Sequence, residues 1–317
     1  MQVQAAVVHS FDRPPRYESF DVPEPSGPHR LVADVVATAL HPRVRSAATG
    51  THYTSTGELP MIPGVDGVAR LSDGSFVYFV AADDAPGPMA TRTVVDPRRT
   101  IPLPAGVDLT RIAAGMNPAM SSWIALRRQA PVEPGQSVLV LGATGNAGRM
   151  AIQVARRLGA GRVIGAGRDR VRLAELKELG ADAAFSLDDG SATLPAPAAE
   201  VDLVLDYLWG KPTGDLMMEL LRKRSDRSRA LSWVQIGSVA GPTIHLPSMA
   251  LRSANLRLLG SGQGAVSAKV YLEELPALVE EIDSGAIVVS ARTEPLSEVE
   301  AVWTAPEPSG TRTVFVP

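Results

Sequence analysis

The stretch Leu139 to Met150, LVLGATGNAGRM, constrains the fold more than any other part of this chain. An apolar run meets three glycines spaced three apart, Gly142, Gly145 and Gly148, and an amphipathic segment follows at once. This reads as a buried strand, a tight turn and a helix opening on the turn. In such a unit the first glycine permits the turn, the second lets backbone approach a pyrophosphate, and the third lets helix and strand pack closely. The free N–H groups at the helix start then face the phosphates. Gly142, Thr144, Gly145, Asn146, Ala147 and Gly148 are therefore expected to bind a dinucleotide. Glycines also end strands for structural reasons alone, so the flanking sequence decides the reading.

The flanks support it. Residues 137–143, SVLVLGA, form a strand pattern, and Met150, Val154 and Leu158 recur at helical spacing beside Ala151 and Ala155. There follow RVIGAGR as strand, RVRLAELKELG as helix, AAFSL and VDLVLDYL as strands, TGDLMMELLRKR as helix, and ALSWVQIGS and LRLLGSG as strands, the last at the sheet edge. Nearly apolar strands alternating with amphipathic helices indicate a parallel sheet covered on both faces, the α/β Rossmann, doubly wound arrangement. Before about residue 115 the texture differs. Short β-like runs (VQAAVVHSF, RLVADVVATAL, DGVARL, FVYFVA, ATRTVVD) broken by Pro and Gly indicate a β-rich unit with long loops. The tail holds the helix VYLEELPALVEEIDSG and the strand-like TRTVFVP, and PAPAAE at 195–200 reads as a surface loop. The expected divisions are 1–115, 116–262 and 263–317.

Composition narrows the partners. The 317 residues carry 31 basic and 34 acidic side chains, net −3, with no basic run interleaved with aromatics, which argues against nucleic acid. Cysteine is absent, which excludes disulfides and thiolate metal sites. No run approaches the ~18 apolar residues of a membrane span, and MQVQAAVVHSF lacks the basic flank and apolar core of a signal peptide. A cytoplasmic protein with no membrane partner is expected.

The choice of dinucleotide falls at the end of the second strand, where an acidic side chain normally grips the adenosine ribose of NAD. Here Gly167 stands at that place and Arg168 follows. A missing side chain leaves room for a 2′-phosphate, and a guanidinium matches it in charge and geometry. NADPH is the expected cofactor; the competing reading has Asp169 on a free ribose and Arg168 solvated. The carboxyl ends of later strands offer Tyr207 and Leu208, then Gly237 and Ser238, then Gly260, Ser261 and Gly262. Trp209, Trp233 and Trp303 read as core or rim packing.

ALHPRVRSAATGTHY, LPMIPGVDGVARL, NPAMSSWIAL, GATGNAG and GTRTVFVP together resemble segments of the medium-chain dehydrogenase/reductase superfamily, specifically its zinc-free, zeta-crystallin-like quinone oxidoreductase branch. The resemblance covers essentially the whole chain. It implies a GroES-like catalytic domain first, an inserted Rossmann domain, a C-terminal segment returning in part to the catalytic domain, and a homodimer. It also implies hydride transfer from NADPH to a quinone, an enone, an aldehyde or a related carbonyl acceptor. Gly260, Ser261 and Gly262 would offer backbone to the carboxamide, and Asn117 and Ser122 would lie under the nicotinamide. Arg312 is a weaker phosphate candidate.

Zinc-bearing relatives carry G-H-E after a proline; this chain has Gly64, Val65 and Asp66. His41 falls at the first catalytic ligand position, but a lone imidazole cannot supply the three protein ligands of a catalytic zinc site. No metal is expected. A proton source or oxygen-binding group is then needed, and Tyr53 is the first candidate. By strict count His52 occupies the family's tyrosine position, while His41 replaces its usual Asn and Val44 its Asp. His41 and His52 have an alternative as loop residues satisfied by backbone, and Tyr53 as a packing residue.

GATGNAG also resembles the turn of atypical short-chain reductases and their NADPH-sensing regulatory relatives, so a non-catalytic NADPH sensor is the alternative from another class. Tyr207 and Lys211 have the Y-x-x-x-K spacing of those reductases, which works only with both on one helix face. Gly210, Pro212 and the preceding apolar strand argue against that helix.

Overall fold

The computed structural model describes residues 1–25, 29–52, 54–82, 85–188, 194–262, 264–306 and 310–317. It divides into two compact units, Met1–Asn117 with Ala268–Gly285 and Val289–Pro317, and Pro118–Ser267 with Ala286–Val288.

In chain order the first unit begins with β1 (Gln2–Val7), β2 (Arg16–Asp21) and β3 (Leu31–Ala39), followed by α1 (Pro42–Ala48), β4 (Asp66–Arg70), β5 (Phe76–Val80), β6 (Arg92–Val95) and β7 (Thr100–Pro102). Helix α2 (Leu109–Ile124) runs through the unit boundary and continues as a π-helical turn at Ala125–Gln129. The second unit contains β8 (Ser137–Leu141), α3 (Asn146–Arg157), β9 (Arg162–Gly167), α4 (Arg170–Glu175), β10 (Ala183–Ser186), α5 (Ala196–Ala199), β11 (Leu203–Asp206), α6 (Gly210–Lys223), β12 (Leu231–Gln235), α7 (Ser248–Arg252) and β13 (Leu256–Gly260). The tail adds α8 (Ala268–Asp283), β14 (Ala291–Pro295), α9 (Val299–Thr304) and β15 (Arg312–Val316).

The second unit holds one parallel sheet in the order β10-β9-β8-β11-β12-β13. Its central strands are fully enclosed: Val138, Leu139, Val140 and Leu141 are 0% exposed, as are Val204 and Leu205. Burial on both faces explains why these strands read as continuous apolar runs rather than alternating ones. The strand order reverses direction at β8, flanked by β9 and β11, and open α/β sheets bind ligands at the carboxyl ends beside such a reversal.

The first unit pairs β1 with β2 and gathers β14-β15-β3-β4-β5-β7 into a larger sheet in which β6 also pairs β3. Strand β15 joins β3 antiparallel, so the end of the chain completes the sheet begun near its start. Aromatic and β-branched residues such as those of FVYFV in β5 suit a pleated, half-buried surface.

Three local readings change. PAPAAE holds the one-turn helix α5 with Ala198 and Ala199 buried, rather than only a surface loop; Pro197 is tolerated because first-turn N–H groups have no intrahelical partner. Helix α6 opens at Gly210 instead of Thr213, with Pro212 again in the first turn. The helix read over RVRLAELKELG is α-helical only through Glu175.

Candidate cofactor and proton-transfer sites

In the second unit the glycine turn behaves as three different positions. Gly142 has φ +82°, a left-handed conformation that favours glycine, and its N–H and that of Ala143 both donate to the Ala166 carbonyl, at 2.9 Å each. A carbon added to Gly148 would lie 2.2 Å from the Gly142 oxygen, so helix α3 approaches the strand closely enough to exclude any side chain. Gly145 is exposed and a carbon there meets only Gly142 oxygen at 3.5 Å, an ordinary contact. This is the open side of the turn, at the N-cap of α3, with Thr144, Asn146 and Ala147 around it. Backbone amides at a helix N-terminus beside an unfilled glycine fit a pyrophosphate.

At the end of β9 a carbon on Gly167 would collide with Thr144, 2.6 Å from Cγ2 and 2.7 Å from Oγ1. The site carries no ribose-binding carboxylate, and any side chain added there would require Thr144 to move. Asp169 instead caps α4, its Oδ1 accepting from Val171 N–H at 3.0 Å and Arg172 N–H at 3.1 Å. Arg168 is exposed, with no side-chain hydrogen bond to a described residue. Arg172, which sequence reading passed over, donates to the Thr144 carbonyl at 2.8 Å and braces the turn.

Beyond β11 the Tyr207 phenol is buried and paired with Ser121 Oγ at 3.0 Å. Burial pushes it up to about 12, and its hydrogen bond with Ser121 offsets only part of that rise. Ser122 is 0% exposed and its hydroxyl turns back onto the Ala119 carbonyl at 3.1 Å. Leu208 is half-buried. A carbon on Gly237 would come 2.8 Å from the Tyr207 oxygen, and Ser238 is exposed. At the end of β13, Gly260 accepts from Gln129 Nε2 at 2.8 Å, Ser261 is buried and Gly262 exposed. Tyr207 precedes α6 and Lys211 lies within it, so the two do not share a helix face.

The loop after β11 is held by a residue that sequence reading did not single out. Asp206 is 0% exposed and its carboxylate accepts from Leu208 N–H at 2.8 Å, Trp209 N–H at 3.1 Å, Thr213 Oγ1 at 2.9 Å and Trp233 Nε1 at 3.0 Å. These bonds hold Trp209 at φ +53°, where a non-glycine residue is strained. Its only sequence signal was an aspartate ending an apolar strand.

In the first unit His41 caps the start of α1 and is 3% exposed. Its Nε2 meets Asp66 Oδ1 at 2.9 Å rather than a backbone group. Tyr78 donates to Asp66 Oδ2 at 2.8 Å, and Asn117 Nδ2 reaches Oδ1 at 3.4 Å. Burial, the Asp66 charge and this hydrogen bond push the Tyr78 phenol well above its ordinary value, so it stays a neutral donor. His52 is half-buried with Nδ1 on Thr54 Oγ1 at 2.8 Å; burial first, then the Arg43 charge, hold it below the usual histidine range. Tyr53 lies outside the described residues. Val65 packs in the apolar core of this unit, and Val44 is 0% exposed there. Arg312 is 5% exposed and donates to the Leu40 carbonyl at 2.8 Å, which makes it a brace for β3 rather than a phosphate ligand. Trp303 stacks under Arg45, 5.3 Å from the ring centre.

Fold and site together define a Rossmann unit inserted into a chain that begins and ends in a β-rich unit. The zinc-binding dehydrogenase family matches residues 147–283. A probable NADPH-dependent quinone reductase, tdiC of Emericella nidulans, is 29% identical, covering 99% of this chain and 100% of that one. The crystal structure of the quinone oxidoreductase from Thermus thermophilus, also solved in complex with NADPH, is 27% identical with a TM-score of 0.80 over 99% of this chain and 100% of its own. The putative NADPH:quinone reductase from Bacillus thuringiensis shares the fold, with a TM-score of 0.83 at 17% identity over 100% of this chain and 99% of that one. Over its whole length the chain is similar to quinone reductases of the medium-chain dehydrogenase/reductase superfamily.

Proposed function

We propose that this protein is a zinc-independent oxidoreductase that uses NADPH to reduce a quinone, an enone or a related carbonyl acceptor. The observation that carries the reading is the pair at the end of β9: Gly167, which supplies no ribose-binding carboxylate, followed by an exposed Arg168 with no partner among the described residues. A guanidinium there matches a 2′-phosphate, while the amides around Gly145 hold the pyrophosphate. Bound NADPH supplies the hydride; the protein supplies position and a proton. His41, whose ring is oriented by a buried carboxylate, is the candidate for that proton. His52, kept below the ordinary histidine range, is poorly suited to arrive protonated.

Metal independence rests on the donor set. There is no cysteine, Val65 stands where a ligating imidazole would, and His41 Nε2 is engaged by Asp66. No described helix is long and apolar enough to cross a membrane, and the reading places the protein in the cytoplasm. A homodimer is proposed through β13, an edge strand with Leu258 38% exposed, since exposed apolar edges are normally paired or covered.

The test is NADPH oxidation measured against quinones, enones and aldehydes, repeated with Arg168→Ala. The variant is expected to weaken NADPH binding by ~1–3 kcal/mol, the scale of a charge-assisted hydrogen bond, and to leave NADH unchanged. Equal losses with both cofactors would refute the phosphate assignment. Tight NADPH binding with no turnover on any acceptor would refute the enzyme.

A further inference from the structure

The segment that follows β9 sets a carboxylate next to the arginine that reads the coenzyme. Residues 168–175, RDRVRLAE, hold three arginines and two carboxylates, and each carboxylate is paired with an arginine. Glu175 meets Arg149 of α3 at 2.6 Å. Asp169 directly follows Arg168, and its side chain is 44% exposed. Its Oδ1 is occupied by the N–H groups of Val171 and Arg172. Its Oδ2 lies 3.5 Å from Arg172 Nε, an ion pair longer than a hydrogen bond.

Arg172 differs from its neighbours. Arg168 and Arg170 are exposed, but the Arg172 side chain is only 21% exposed and lies against the glycine turn, where it donates to the Thr144 carbonyl at 2.8 Å. Thr144 is also the residue that a side chain at Gly167 would meet. One guanidinium therefore counters two oxygens, the Thr144 carbonyl in the turn and the Asp169 carboxylate past β9. The dinucleotide reading puts the pyrophosphate beside the first and the 2′-phosphate beside the second. Left uncountered, both oxygens would repel those phosphates, and the carboxylate, with its full charge, would do so more. As a stabiliser of the fold an exposed i,i+3 ion pair is weak. As a counter-charge it acts on any anion that binds nearby.

We propose that Arg172 is a positioning residue that selects NADPH over NADH without binding the 2′-phosphate itself: it holds and screens Asp169, and so leaves Arg168 to bind the phosphate. The proposal rests on the reading of this protein as NADPH-dependent. An acid at the end of the second strand is the group that grips the ribose 2′-hydroxyl of NAD. Asp169 is such an acid one turn of chain late, already engaged by the cap of α4 and by Arg172. Without the guanidinium, Oδ2 faces the coenzyme with its charge unscreened. It then repels the 2′-phosphate of NADPH and accepts from the 2′-hydroxyl of NADH.

The test is fluorescence titration of the full chain with NADPH and with NADH. Arg172→Gln removes the charge and keeps an amide donor for the Thr144 carbonyl. It should raise the NADPH Kd by ~5–30-fold, the effect of one unit charge several ångströms away in a medium between bulk water and protein surface. The NADH Kd should stay within about threefold of wild type, the scale of losing one exposed ion pair. The loss of NADPH affinity should shrink as salt is added. Arg172→Lys, which keeps the charge, should retain the wild-type preference. So should the double variant Arg172→Gln with Asp169→Asn, because asparagine still caps a helix and carries no charge. A residue that merely braced the turn would not be rescued by a change at Asp169.

Equal losses of NADPH and NADH in Arg172→Gln overturn the proposal, as does an Arg172→Gln variant with the wild-type preference, or a lost preference that Asp169→Asn does not restore. In each of these cases a selective loss of NADPH in Arg168→Ala leaves the NADPH reading intact. A wild type with no preference for NADPH overturns that reading, and this proposal with it. If Arg172→Gln does not fold, Arg172→Met, which keeps an apolar stem, is read by the same ratio. If neither folds, Arg172 is a brace of the fold and the proposal falls.

Discussion

Replacing Gly145 and Gly148 separately by alanine distinguishes a glycine needed for a ligand from one needed for the fold. Gly145 has φ −81° and ψ 163°, a conformation open to any residue, and the new methyl carbon meets only an oxygen 3.5 Å away. Gly145→Ala should therefore leave stability unchanged or raise it by ~0.4–1 kcal/mol through the unfolded state. The same methyl would stand where backbone must approach the pyrophosphate. Overpacking of that kind should weaken NADPH by ~1–3 kcal/mol, or roughly 5–150-fold in Kd. At Gly148 the added carbon would lie 2.2 Å from Gly142 O, 2.6 Å from Ala143 Cα and 2.8 Å from Gly142 C. All three are backbone atoms and cannot rotate away. Gly148→Ala should destabilise the protein by ~1–3 kcal/mol despite alanine's better helix propensity. The melting temperature should fall by about 2–4 °C per kcal/mol for a unit of this size. Thermal unfolding and fluorescence titration with NADPH, on both variants, supply the four numbers. Gly145→Ala with wild-type NADPH affinity would refute the placement of the phosphates on this turn, and a Gly148→Ala variant as stable as wild type would refute the close helix approach.

Other expectations follow from buried and paired titratable groups. Tyr207 is raised by burial to about 12. Its contribution to stability is thus complete below the unfolded phenol value near pH 10 and is lost as pH rises toward the folded value. Tyr207→Phe should flatten that alkaline loss in urea unfolding series; an unchanged slope would show that this phenol is not responsible. Burial pushes the Asp202 carboxyl up, but bonds from Ser137 N–H at 2.8 Å, Ser137 Oγ at 2.9 Å and the Arg229 guanidinium outweigh it and hold the group low. Its stabilisation is present above the unfolded value near pH 4 and is lost as pH falls through the lower folded one, so Asp202→Asn should be less stable at neutral pH and less acid-sensitive than wild type. Spectrophotometric titration should show Tyr78 and Tyr207 ionising above the ordinary phenol range; Tyr78→Phe leaving the late-titrating amplitude unchanged would contradict the buried Asp66 pair.

Two buried carboxylates organise the two units by different means. Asp206 gathers donors from its own loop, helix α6 and β12, and through them holds Trp209 at a positive φ. Asp66 gathers a histidine and a tyrosine from neighbouring elements. The first use shapes backbone beside the carboxyl end of β11; the second orients a ring nitrogen. Removing either carboxylate would leave buried donors unpaired, at ~1–3 kcal/mol for each.

Much of the second unit was legible in the linear sequence because its determinants are local. Helix period, apolar strand runs and glycine spacing are written within about a dozen residues, and they indicated β8, the turn, α3 and the Gly167–Arg168 pair directly. The short helix in PAPAAE was missed because proline and alanine are ambiguous until tertiary burial of Ala198 and Ala199 favours the turn. Asp169 was read in the sequence only as a ligand for a free ribose, and the backbone geometry of α4 shows it capping that helix. The His41–Asp66–Tyr78 set was out of reach. His41 was singled out alone, while its partners stand 25 residues further along and 12 beyond that, unremarkable as an acidic and an aromatic residue in a β-rich stretch. What sequence by itself determined here is the order of elements and the turn they open; which side chains meet was decided by strand register and burial, because contacts between distant residues leave no periodic trace in the chain.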